Sequence, residues 1–96
     1  MDRERDVEKY LRERVKAAGG TAYKFVSPGN DGVPDRVCVF PGGRICFVEL
    51  KAEGGGLTPL QRRQIHRLKE LGCAVFVARG KGMVDEFIER MEAGSL

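Results

Sequence analysis

The chain has 96 residues, 42% of them hydrophobic and 32% charged, which is the balance of one globular domain with a modest core and not of a disordered segment. Its longest apolar run, residues 73–78, falls far short of the roughly 20 residues that span a bilayer, and the charged start at Met1–Arg5 is unlike a signal peptide. A formal net charge of +3 suits a polyanionic partner without demanding one.

Glycine clusters and the single Gly72 separate seven elements. From Asp2 to Ala18 the charges alternate in sign while Val7, Tyr10, Leu11, Val15 and Ala18 recur at helical spacing, and Gly19–Gly20 ends this amphipathic helix. Thr21–Val26 is a short β-prone run, and the turn-forming residues 27–34 follow it as a loop. Asp35–Phe40 and Arg44–Leu50 read as strands joined by the compact turn Pro41–Gly42–Gly43. After a flexible stretch at 52–56, Thr58, Pro59 and Gln61 form the N-cap, first position and capping-box residue of a second helix. Its apolar face carries Ile65, Leu68 and Leu71 or Gly72. Cys73–Ala78 is an apolar strand, and a last helix bears Val84, Phe87, Ile88 and Met91. The order is αβββαβα in a single domain over residues 1–96, with no repeat and no dividing linker.

The hairpin arithmetic points to chemistry. With a three-residue turn, paired positions sum to 84, so Asp35 faces Glu49, and Lys51 lies one step further on the same side. Val37, Val39, Ile45 and Phe47 share that face, while Cys38, Phe40, Cys46, Val48 and Leu50 form the other. Both faces are mostly apolar, so helices are expected over both sides of a mixed sheet, with a parallel crossover between Arg44 and Ala78. Two facing carboxylates repel, and a divalent cation relieves that cost. Asp35, Glu49 and Lys51 therefore suit metal-assisted hydrolysis of a phosphodiester, the lysine orienting water or offsetting charge on the phosphate.

Pro34–Asp35 followed by Glu49–Leu50–Lys51 resembles the PD-(D/E)xK nuclease signature. More narrowly, segments 32–36, 47–51 and 57–61 together resemble the virus-type replication-repair nuclease (VRR-NUC) domain over essentially the whole chain. The resemblance implies a restriction-endonuclease-like α/β core and an Mg²⁺- or Mn²⁺-dependent DNA endonuclease. It also implies action as a homodimer on branched DNA, including four-way (Holliday) junctions, in a bacterial or phage-infected cell. By the same resemblance Asp35, Glu49 and the Leu50 backbone carbonyl bind metal, Lys51 is the catalytic lysine, and Gln61 supports the site. A first-helix glutamate near the metal is assigned to Glu8, which projects close to Val15, with Glu4 as its competitor.

Each residue also has a plainer reading. Asp35 after Pro34 fits a turn, Glu49 fits an ion pair with Lys51 or Arg36, and Gln61 fits a capping role as well as a site role. Glu4 and Glu8 pair readily with Lys9 and Arg12. Arg62, Arg63, Arg67 and Lys69 make a cationic helix face suited to tracking a phosphate backbone, with Lys24 a candidate extension; the plain alternative is a solubilising face. His66 has no serine placed to form a triad and is given no catalytic role. Cys38, Cys46 and Cys73 lack C-x-x-C spacing and read as buried free thiols of a reducing, cytoplasmic setting. Rival classes are a nuclease without branch preference, alone or within a larger assembly, and a DNA-binding module without catalysis.

Overall fold

A computed structural model describes residues 2–96. The elements are α1 (Glu4–Ala17), β1 (Thr21–Lys24), β2 (Arg36–Phe40), β3 (Arg44–Lys51), α2 (Pro59–Glu70), β4 (Val75–Arg79) and α3 (Lys81–Ala93). They form one four-stranded mixed sheet in the order β1-β2-β3-β4. The first two pairings are antiparallel and β3 runs parallel to β4 across the α2 crossover. Phe40 pairs with Arg44 and Arg36 with Val48, which is the expected hairpin register.

Three ends move. β1 stops at Lys24, although the Phe25 N–H still donates to the Asp35 carbonyl at 2.9 Å. β2 begins at Arg36, because Leu50, the next backbone donor of β3, gives its N–H to the Asp35 side chain. β4 begins at Val75, since the Cys73 N–H is occupied in closing α2 on the Leu68 carbonyl.

The core lies on one side of the sheet. Val7, Leu11 and Val15 of α1 and Val84, Phe87, Ile88 and Met91 of α3 bury against Cys38, Phe40, Cys46, Val48 and Leu50. The Phe87 ring sits 5.8 Å from Phe40 and 5.4 Å from Phe76. Helices do occupy both faces, but unequally. α2 covers the opposite face only beside β4, buries Ile65 alone, and leaves Leu71 exposed at its end. Ile45 on β3 and Tyr23 on β1 are 51% and 59% exposed on that face, while Phe25 packs across Phe47 at 5.5 Å. Cys38 and Cys46 are buried free thiols and Cys73 is half-buried. Burial pushes the Cys38 and Cys46 thiols up to about 12, so both stay protonated and inert near neutrality.

Candidate active site

The site forms where β2 enters the sheet and β3 leaves it. Pro34 is fully buried and delivers Asp35 to the end of the β1–β2 ladder. Gly32 permits this approach: at φ +88° it lies against the first turn of α2, where a Cβ would stand 2.7 Å from the Leu60 carbonyl carbon. Residues 27–34 are thereby pressed onto the helix that supplies Gln61, and Gln64 Nε2 donates to the Asp31 carbonyl across the same junction.

Glu49 is the only buried charged residue among the described residues, at 2% exposure. Its Oε2 accepts a 2.9 Å hydrogen bond from Gln61 Nε2 and lies 3.7 Å from Lys51 Nζ. Its Oε1 is buried with no hydrogen-bond partner. Asp35 Oδ2 accepts the Leu50 N–H at 2.8 Å, so the two carboxylates are carried by adjoining backbone. Desolvation first, and then the Asp35 charge, push the Glu49 carboxyl up to about 7, with Lys51 opposing them and the Glu4 charge adding a smaller push.

Gln61 makes two sets of contacts, one with Thr58 and one with Glu49. Its N–H donates to Thr58 Oγ1 at 3.1 Å, and its Oε1 accepts from the Thr58 N–H at 2.9 Å. The side-chain amide that closes this capping box spends its Nε2 on Glu49. The helix start and the site are therefore one piece of structure.

A cleft of about 200 Å³ opens beside this pair, lined by Glu4, Glu8, Lys24, Asp35, Arg36 and Leu50 among others. Glu8 reaches it already paired: its Oε1 lies 3.2 Å from Arg12 Nε and 3.1 Å from Arg36 Nη2. Glu4 is the helix acid whose charge is felt at Glu49. No three His, Cys, Asp or Glu side chains among the described residues stand together as a ready-made metal cage. Asp35 and Glu49 form the close pair, and Glu8 belongs to the cleft wall. Two carboxylates, one holding an unpartnered buried oxygen, still fit a hard divalent cation that keeps several of its own waters.

Arg62, Arg63, Arg67 and Lys69 are exposed on α2 and make no salt bridge among the described residues, whereas His66 lies 3.6 Å from Glu70. Lys24 stands apart from them, at the end of β1 on the cleft. Arg36 was absent from the expected site residues, yet it ends the cleft wall with a side chain only 12% exposed. Its place directly after Asp35 was the available signal.

A mixed sheet that brings a paired Asp and buried Glu beside a lysine, next to a cleft and a cationic helix, defines a site of the PD-(D/E)xK nuclease type. The chain belongs to the VRR-NUC family: residues 4–82 match the VRR-NUC domain. It is 53% identical over 75 residues to "Putative nuclease p44" of Acyrthosiphon pisum secondary endosymbiont phage 1, covering 78% of this chain and 81% of that protein. A solved VRR_NUC domain superposes with a TM-score of 0.82 at 36% identity, over 90% of this chain and 94% of the other. The protein is thus a nuclease by family and by fold.

Proposed function

We propose that the protein is an Mg²⁺- or Mn²⁺-dependent, structure-specific DNA endonuclease that hydrolyses phosphodiester bonds in branched DNA such as four-way junctions. The observation that carries the reading is Glu49: buried at the end of the hairpin beside Lys51, and left with an unpartnered oxygen. Such a group is costly in the protein alone and useful where a cation completes it. Asp35, Glu49 and the Leu50 carbonyl would hold the ion. A divalent cation at such a site supplies Lewis-acid charge for the phosphate and lowers the pKa of water.

The chain's own groups do the rest. Gln61 fixes one oxygen of Glu49, so the carboxylate has a set orientation when DNA arrives. Lys51, only 14% exposed, keeps its ammonium beside that oxygen, where it orients a water or offsets charge growing on the phosphate. Arg62, Arg63, Arg67 and Lys69 supply exposed cations to neighbouring backbone phosphates, and Lys24 extends contact from the cleft.

The homodimer belongs to this proposal. Tyr23 and Ile45 lie exposed on the sheet face that α2 leaves open, and a second copy placed there by a two-fold axis covers both patches and presents two centres to a symmetric junction. Sedimentation showing a dimer that Ile45→Glu converts to monomer supports it; a monomer at micromolar concentration for both forms removes it. The setting proposed is the cytoplasm of a bacterial or phage-infected cell, in DNA repair, which suits the unpaired thiols.

The test is incubation of labelled four-way junction, flap and linear duplex with Mg²⁺, beside Asp35→Asn and Lys51→Ala. The expected result is junction cutting by the wild type and none by either variant. Equal cutting of all three substrates replaces the junction reading with a nuclease lacking branch preference. Binding without cutting leaves a DNA-binding module, and equal cutting by the variants overturns the site.

A further inference from the structure

We infer that Arg36 is a positioning residue of the acidic cleft: its guanidinium ties Glu8 on α1 to the Ala22 carbonyl on β1 and so sets where the first helix presents its carboxylates to Asp35 and Glu49. The inference rests on the metal-dependent reading above and adds a residue to it.

Arg36 opens β2, paired with Lys24 on one side and Val48 on the other. Alternation puts its side chain on the α1 face of the sheet, with Cys38 and Phe40. One terminal nitrogen donates to the Ala22 carbonyl at 3.2 Å, and the other lies 3.1 Å from Glu8 Oε1. These partners sit on different elements, so the planar fork sets a distance between β1 and α1. The second cation on Glu8, Arg12, belongs to the same helix one turn on, and such an exposed i,i+4 pair fixes no helix against a sheet.

The cleft needs that restraint. Glu4, Glu8 and Asp35 all line it, and Glu49 feels the charges of both Asp35 and Glu4. Like charges lining one cleft push the N-terminal turn of α1 away from the sheet end. Arg36 opposes the push while leaving Glu8 Oε2 without a protein partner among the described residues. A carboxylate held this way can accept hydrogen bonds from the waters that a divalent ion retains.

Two other roles for Arg36 make different predictions. As a mere counter-charge it repels a cation, so its neutralisation tightens metal binding. As a mere structural strut it affects stability and leaves affinity alone. The experiment is calorimetric titration of the DNA-free protein with MnCl₂ near pH 7.5, with thermal unfolding measured on the same samples. Variants are Arg36→Gln, Arg36→Lys and Glu8→Gln. Positioning predicts that each weakens Mn²⁺ binding by about 10-fold or more. Lysine fails despite keeping its charge, and Arg36→Gln combined with Glu8→Gln is little worse than either alone. If Arg36→Gln does not fold, Arg36→Lys and Glu8→Gln carry the test. Unchanged or tighter binding in folded Arg36 variants overturns the inference while Asp35→Asn still abolishes binding. A wild type that binds no Mn²⁺ overturns the metal reading itself and this inference with it.

Discussion

The two faces of the sheet are built for different ends. Under α1 and α3, Cys38, Phe40, Cys46, Val48 and Leu50 are sealed by seven buried side chains from the two helices, with no charged residue among them. On the opposite face α2 buries only Ile65, Ile45 and Tyr23 stay open, and the next row holds the buried Glu49 with Lys51 and Gln61. The first face follows the rule that apolar area removed from water stabilises. The second breaks it at one residue, which is where a functional site is expected in a small domain that otherwise obeys the rule.

The comparison breaks most sharply at the carboxylates. Asp35→Asn or Glu49→Gln is expected to lower cleavage on the order of 10³-fold, about 4 kcal/mol of transition-state stabilisation, in single-turnover assays with Mg²⁺. Loss of less than tenfold would place the chemistry elsewhere. For the packed face, Leu11→Ala is expected to cost roughly 3–4 kcal/mol in urea unfolding, whereas Ile45→Ala on the open face costs under about 1 kcal/mol in the monomer. Similar costs for both would mean that the open face is covered in solution.

A third difference concerns pH. Glu49 sits at about 7 when folded against an ordinary 4.5. Below 4.5 both folded and unfolded chains hold its proton, and no penalty exists. Between 4.5 and 7 the unfolded chain ionises first, so stability falls as pH rises, and the full penalty is present above 7. The scale is up to about 3 kcal/mol, the linkage value of such a shift. Thermal unfolding of metal-free protein should therefore show a midpoint that drops between pH 5 and 8. Glu49→Gln should flatten that slope and be the more stable form at pH 8. A wild-type midpoint that rises over this range contradicts the burial argument. Gln61→Ala removes half of the capping box together with the bond to Glu49 and is expected to cost about 1–2 kcal/mol in the same unfolding measurement. Gln61→Glu should restore part of the cap while placing a second charge against Glu49, so it recovers stability at low pH and not at high pH.

All seven elements were readable in the residues because each rule involved is local. Val7, Leu11 and Val15 mark a helix face by spacing, Thr58–Pro59 with Gln61 marks a helix start, and a three-residue turn sets the hairpin register. That register also placed Asp35, Glu49 and Lys51 at one end of the sheet. Leu71 is the exception on α2: spacing permits it on the apolar face, but the chain closes with Gly72 before it can turn inward, and it is 60% exposed. The strand ends at Arg36 and Val75 shifted because a side-chain and a cap hydrogen bond took donors that periodicity assigns to the ladder.

Sequence order alone determined which residues alternate, which turn, and which residues pair across the hairpin from Arg36 to Val48, since these depend on neighbours a few positions apart. Only the tertiary structure decided that Gln61 reaches Glu49, that Gly32 lets the loop rest on α2, and that Arg36 spans from Glu8 to Ala22. It also decided that one face is sealed and the other half open. Those outcomes depend on how helices dock against the sheet, and docking is set by the sum of many buried contacts that no short stretch of residues encodes.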